Sequence, residues 1–233
     1  MITQTDLNVK DYLKAITETY GAKFEKYREL LIEYNKKFNL TSVTEEKDIL
    51  YKHFLDSVAG ESLFPVGATI AEVGSGAGFP SLPLKIIRDD LQFTLFESTG
   101  KKCDFLSLVS SQLSLENVIV KNLRAEDGGR DENYREKFDV CCARAVARLN
   151  TLAEYCMPFV KVGGLFIAYK GPSEEEINEA QNAIEILGGK LEKVVSFALP
   201  EEYGQRNLIV IRKQKNTPKK YPRGQGKERS KPL

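Results

Sequence analysis

The chain has 233 residues, 42% of them hydrophobic, and its 34 Lys/Arg against 33 Asp/Glu give a formal net charge of +1. That is enough apolar material for one good core plus an extension; no apolar run is long enough to cross a bilayer and "MITQTDLNVKDYL" has no secretory apolar region, so a soluble, cytoplasmic protein is expected. Cys103, Cys141, Cys142 and Cys156 form no C-x-x-C pair and share the chain with one histidine, His53, which argues against a metal site.

In chain order, Leu13, Ile16, Tyr20, Phe24, Tyr27, Leu30, Leu31, Tyr34 and Phe38 recur every three or four residues and predict a helical stripe that covers one side of a sheet, with a break at Gly21. "FNLTSVT" reads as a loop. Thr44, followed by Glu45 and Glu46, starts a second helix that carries His53 and Asp56 to about Gly60. From Thr69 onward the pattern alternates. Strands are predicted at "TIAEV", "QFTLFE", "NVIVKN", "FDVCCA", "GLFIAYK", "LEKVVSFAL" and "RNLIVIRK", with helices at Lys101–Leu113, Leu149–Val160 and Glu174–Leu187. Alternation of this kind means βαβ units and a parallel sheet covered on both faces. Only "PEEYGQ" joins the last two strands, and parallel neighbours need a longer crossover, so they form an antiparallel hairpin. Cys141 and Cys142, inside an apolar run, read as buried reduced thiols. Residues 1–66 are a helical extension, 67–213 the α/β domain, and 214–233 a basic, flexible tail. From Arg212 onward there are nine Lys/Arg and one acid, a net of +8, which leaves −7 on the rest and points the tail at an anionic polymer.

"IAEVGSGAGFP", Ile70 to Pro80, is the turn after the first strand, where open α/β sheets bind ligands. A dinucleotide fingerprint needs a third glycine where Phe79 stands, and a P-loop needs G-K-[ST] where the chain has "GFPS". What remains is E-x-G-x-G-x-G, with Glu72, Gly74, Gly76 and Gly78, the loop of S-adenosylmethionine (AdoMet) methyltransferases, whose bare main chain approaches a ligand without a phosphate. Glu97 ends the second strand, where a carboxylate can accept both ribose hydroxyls; "RAED" after the third places a small residue and an acid where they can flank an adenine. The expected fold is therefore the Rossmann-like class I AdoMet-dependent methyltransferase, a seven-stranded, mostly parallel sheet with the last strand antiparallel.

"NLTSVT", "HFLDS", "EVGSGAGFPSLPL", "FESTGKK", "RAED", "ARAVARL" and "YKGP" occur in this order, and over nearly the whole chain they resemble the bacterial glucose-inhibited division protein B family. Ser81, Glu72 and Tyr169 stand where that family more often has glycine, aspartate and leucine. The resemblance implies methyl transfer from AdoMet, leaving S-adenosylhomocysteine, to N7 of a guanine in 16S ribosomal RNA, with no metal and with the RNA or the small ribosomal subunit as partner of a monomer. It implies that Gly74 and Phe79 contact AdoMet, that Ala125 and Glu126 flank the adenine, and that Arg144 reaches the methionine end or the guanine.

Guanine N7 is an unprotonated in-plane lone pair, so its methylation needs no general base, only alignment. None of the four cysteines follows a proline, as cytosine C5 methylation requires, and there is no Pro-Pro as in adenine amino-methylation loops. Arg144 is the candidate catalytic residue, orienting the base through O6 or holding the AdoMet carboxylate. His53, Arg148 and Lys170, with Lys219, Lys220 and Arg223 of the tail, are the candidate RNA contacts. A methyltransferase with another substrate and a non-catalytic AdoMet- or RNA-binding assembly factor stay open as alternatives.

Overall fold

The computed structural model describes residues 9–233, with side chains from residue 15; residues 1–8 of the extension and the Leu13 side chain of the predicted stripe lie outside the described residues. Helix α1 (Val9–Asn35) runs unbroken through Gly21, where the predicted break does not occur. A glycine inside a helix costs only about 1 kcal/mol, and the apolar stripe continues on both sides of it: Phe24, Tyr27, Leu30 and Leu31 are buried, with Ile16, Tyr20, Tyr34 and Phe38 packed against the same core. The second helical segment is composite. It comprises α2 (Glu46–Asp48), a π-helical stretch (Ile49–Leu55) and α3 (Asp56–Val58), and it is preceded by Glu45, one residue after the expected start at Thr44.

The sheet follows: β1 (Thr69–Val73), β2 (Gln92–Glu97), β3 (Val118–Asn122), β4 (Phe138–Arg144), β5 (Val160–Lys170), β6 (Gly189–Ala198) and β7 (Gln205–Lys213). Their spatial order is β3-β2-β1-β4-β5-β7-β6. β1 pairs in parallel with β2 and β4, β2 with β3, and β4 with β5, whereas β7 is antiparallel to both β5 and β6. The hairpin predicted from "PEEYGQ" thus folds back so that its second arm enters the sheet between β5 and the first arm.

Helices α4 (Ser81–Ile87), α5 (Gly100–Gln112), α6 (Ala125–Gly128), α7 (Leu149–Cys156) and α8 (Glu174–Ile186) connect the strands. Because side chains alternate along a strand, Ile70 and Val140 face one apolar cluster with α1, α4 and α5, and Ala71 and Cys141 face a second with α7 and α8. All four cysteines are buried free thiols. Tyr169 donates to the Ser57 carbonyl at 3.1 Å and joins the extension to β5.

Residues 214–233 pack on the second layer, with Thr217, Tyr221 and Glu228 buried, and end in the short helix α9 (Lys227–Ser230). One of its cations, Arg223, pairs with the buried Glu154 of the body.

Candidate active site

The turn after β1 lies at the carboxyl end of the sheet, beside the ends of β2 and β4. Its tightest position is Gly78, at φ +96°, where a Cβ would come within 2.5 Å of Leu82 Cδ1 and 2.6 Å of the Tyr27 hydroxyl; only a glycine fits. The Tyr27 hydroxyl itself donates to the Ala77 carbonyl, which pins the loop to α1. Gly76, at φ +56°, is the opposite case: a Cβ would meet nothing closer than the Gly74 carbonyl at 3.9 Å, so its main chain faces open space. Beside Gly74 a Cβ would come within 2.6 Å of Val146 Cγ2, from the loop after β4.

Glu97, buried at the end of β2, accepts from Gly76 N–H at 3.0 Å and Thr99 N–H at 2.8 Å, one on each carboxylate oxygen. Each oxygen keeps a lone pair for a further donor. Ala125 and Glu126, half-buried, open α6 just beyond β3. A crevice of bare main chain with a fixed carboxylate fits a nucleoside diol better than a phosphate, so AdoMet suits the residues present.

Under the loop, Glu72 is fully buried and neither carboxyl oxygen has a hydrogen-bond partner; the nearby Ser81 Oγ is likewise unpartnered. Loss of hydration pushes its carboxyl up to about 7, with the Ser81 and Ser75 hydroxyls and the Arg144 charge opposing the rise. Ser81 opens α4 in helical geometry, so the position does not require the glycine of the resembled family.

Arg144 is the side chain most firmly placed. At the end of β4 it donates through Nη1 to the Lys52 carbonyl at 2.8 Å and to Asp56 Oδ2 at 3.0 Å, and through Nη2 to His53 Nδ1 at 3.1 Å. Its guanidinium carbon sits 5.0 Å from the centroid of Phe79, whose buried ring also stacks on His53 at 4.3 Å and on Tyr27 at 5.5 Å. Asp56 is shared with Arg206 of β7, 3.3 Å away, and burial pushes its carboxyl up against the pull of both arginines. Because arginine only donates, His53 Nδ1 must accept; the proton then resides on Nε2, which donates to Thr41 Oγ1 at 2.9 Å. Burial and the Arg144 charge push this imidazole down to about 3, so it is neutral. Immediately after Arg144, Ala145 adopts φ +56°, a strained value for a side chain other than glycine and one that accumulates at sites.

The predicted RNA contacts divide. His53 is built into the Arg144 network. Arg148 pairs with Glu179 at 2.6 Å, and Lys170 with Glu176 at 2.7 Å and the Ala147 carbonyl at 2.6 Å. Arg223, expected to reach RNA, instead grips the buried Glu154, donating from its backbone N–H, Nε and Nη2 at 2.7 to 3.2 Å; a buried carboxylate must be paired, and this arginine pairs it. Lys219 and Lys220 remain exposed. The residues that sequence reasoning missed are Asp56 and Arg206 as partners of Arg144, and Tyr27 as the loop's support. "HFLDS" carries Asp56 in plain sight, but its partners lie 88 and 150 residues away. Among the described residues no three His, Cys, Asp or Glu side chains group as metal ligands would, and no helix is long and apolar enough to cross a membrane.

Strand order, the reversed β7 and a glycine loop facing a carboxylate at the end of β2 define the class I methyltransferase fold. Solved structures agree at the level of fold: TYW2 of M. jannaschii, in complex with AdoMet, superposes with a TM-score of 0.55 at 15% identity over 73% of this chain and 77% of its own. At the level of sequence, the family described as rRNA small subunit methyltransferase G matches residues 21–209. The ribosomal RNA small subunit methyltransferase G of Lactobacillus acidophilus is 49% identical over 94% of this chain and 93% of its own, and that of Bacillus subtilis 49% identical over 91% and 90%. The chain belongs to this methyltransferase family.

Proposed function

We propose that this protein transfers a methyl group from AdoMet to N7 of a guanine in 16S ribosomal RNA. The relation that carries the RNA substrate is the 49% identity, over nearly the full length of both chains, to ribosomal RNA small subunit methyltransferases G. The choice of atom is supported by the site: the His53 lone pair is already taken by Arg144, as suits a nucleophile that needs no base.

When bound, AdoMet supplies an electrophilic methyl on a sulfonium. The chain's own residues do the rest. The main chain from Gly74 to Gly78 would hold the nucleoside, the Glu97 carboxylate would accept from the ribose hydroxyls, and Ala125 and Glu126 would flank the adenine. Phe79 serves the site as the platform on which Arg144 rests. With its donors to Lys52, Asp56 and His53 committed, Arg144 keeps Nε–H and one Nη2 hydrogen for O6 of the guanine or for the carboxylate of the methionine end. Such fixed positioning can supply about 7–11 kcal/mol of a barrier.

The test is transfer of labelled methyl from AdoMet to small-subunit RNA isolated from cells lacking the gene, followed by mapping of the modified base. The proposal expects one N7-methylguanine in 16S RNA. Label on another atom or base, or none, would overturn it.

A further inference from the structure

Of the cations expected to face RNA, those on the body and Arg223 are neutralised where they stand. Arg144 shares Asp56, Arg148 holds Glu179, Lys170 holds Glu176 and Arg223 holds Glu154. A cation that keeps its own carboxylate offers a phosphate little, because the pair must be broken first. The body carries a surplus of acids besides, so the attraction for a polyanion has to come from elsewhere.

The docked segment 214–233 supplies it. It begins at the amino edge of the sheet, where Lys213 Nζ is buried against the Met157 carbonyl and Thr217 Oγ1, and where the Thr217 N–H donates to Glu136 Oε1. It crosses the second helical layer, where Arg135 donates to the Tyr221 carbonyl at 2.9 Å and Arg130 to the Pro222 carbonyl at 3.1 Å. The Arg223–Glu154 pair fixes its midpoint. It ends at the carboxyl edge: Thr151, in the first turn of α7, donates to the Glu228 carbonyl at 2.9 Å, and the Gly224 N–H donates to the Glu228 carboxylate. The segment is therefore a strap that spans the domain, passes the end of α6 where Pro222 lies against Gly129, and finishes on the first turn of α7, at the carboxyl edge where the crevice opens.

Along this strap Lys219, Lys220, Lys227 and Lys231 are exposed, and none has an ion-pair partner among the described residues. Lys220 Nζ rests 5.2 Å from the Tyr221 ring centroid, leaving its charge outward. We propose that the strap is a preassembled RNA-binding rail, in which anchorage of Arg223 on Glu154 holds Lys219, Lys220, Lys227 and Lys231 as fixed phosphate contacts leading to the crevice. This rests on the RNA substrate argued above. It goes beyond that reading in naming which cations touch RNA and why they need not be ordered on binding: the folding of the strap has already met that cost.

Binding of transcribed 16S RNA to the full chain, measured over a range of KCl without catalysis, tests it. The variant Lys219→Ala/Lys220→Ala/Lys227→Ala/Lys231→Ala should flatten the slope of log affinity against log salt by about 3, at about 0.7 per lost contact on single strands, and raise KM for RNA. Titration with AdoMet should give wild-type heat, showing that the fold and crevice survive. Arg148→Ala, which removes a cation already paired, should keep the wild-type slope. Glu154→Gln should expose Lys219 and Lys220 to trypsin and weaken RNA binding about tenfold while the slope persists, because the charges remain but are no longer held. A wild-type slope in the quadruple variant overturns the rail. A trypsin-resistant strap in Glu154→Gln overturns the anchorage on Glu154, and a released strap that binds RNA as tightly as before overturns the value of preassembly. A wild-type protein that binds RNA with this slope but transfers no methyl leaves the rail standing and removes the functional reading instead.

Discussion

Replacing Glu72 by glutamine keeps the size and shape of the side chain and removes its titration. In the native protein this carboxyl is fully buried, with no partner on either oxygen, and burial pushes it up to about 7 from the 4.5 of an ordinary glutamate. That interval corresponds to about 3 kcal/mol, since each tenfold change in proton affinity is worth about 1.4 kcal/mol. The sign follows from linkage. Between 4.5 and about 7 the folded protein binds the proton and the unfolded chain does not, so the stability due to this group is fully present below 4.5 and is lost as pH rises through about 7. Glu72→Gln has no such loss. Urea unfolding followed by circular dichroism, from about pH 4.5 to about pH 8, should show the variant gaining on the wild type by about 3 kcal/mol across the range, with most of the change complete by the upper end. Titrations common to both proteins cancel in the difference. A stability difference that stays constant with pH would refute the reasoning, because it would mean that Glu72 finds water or a cation that hydrates its charge.

Gly78→Ala and Gly76→Ala should separate support from contact: the first should cost about 3 kcal/mol of stability by driving a Cβ into Leu82 and Tyr27, and the second about 1 kcal/mol with a large loss of AdoMet affinity, read by chemical unfolding and calorimetry. Arg144→Lys cannot reproduce the fork to Lys52, Asp56 and His53, so kcat in methyl transfer should fall by at least about 100-fold, while AdoMet binding reports whether the lost contact belongs to cofactor or RNA. Asp56→Asn leaves Arg144 and Arg206 short of their shared charge and should destabilise the fold by about 3 kcal/mol, with kcat restored more by Asp56→Glu than by Asp56→Ala. His53 should show no protonation by nitrogen NMR between about pH 5 and about pH 8; a midpoint near that of a free imidazole would contradict its contact with Arg144.

Much of this architecture could be read from residue order. Alternation of "TIAEV", "QFTLFE" and their successors with amphipathic helices announces a parallel sheet, because a strand buried on both faces must be apolar throughout. The hairpin was legible from its short connection, but the insertion of β7 between β5 and β6 was not, since pairing partners leave no trace in spacing. Helix α4 escaped notice because it is seven residues long with Pro83 in its first turn. The glycine loop and Glu97 stand out in sequence because backbone approach demands small residues at fixed offsets. The Arg144 network and the strap do not, and for one shared reason: their partners are distant in the chain. Asp56 meets Arg144 and Arg206, and Glu154 meets Arg223, only once the sheet has formed, and a basic tail without its buried acids reads as solvated.

The account depends on a crevice that recognises a nucleoside through bare main chain at Gly76 and the Glu97 carboxylate. Titration calorimetry tests this most directly. It should record heat with AdoMet and with S-adenosylhomocysteine, none with ATP, and a loss of about 10- to 100-fold in affinity for both ligands in Glu97→Gln, the worth of hydrogen bonds to a charged acceptor. Silence with both ligands, or a Glu97→Gln variant that binds them as tightly as the native protein, would contradict it.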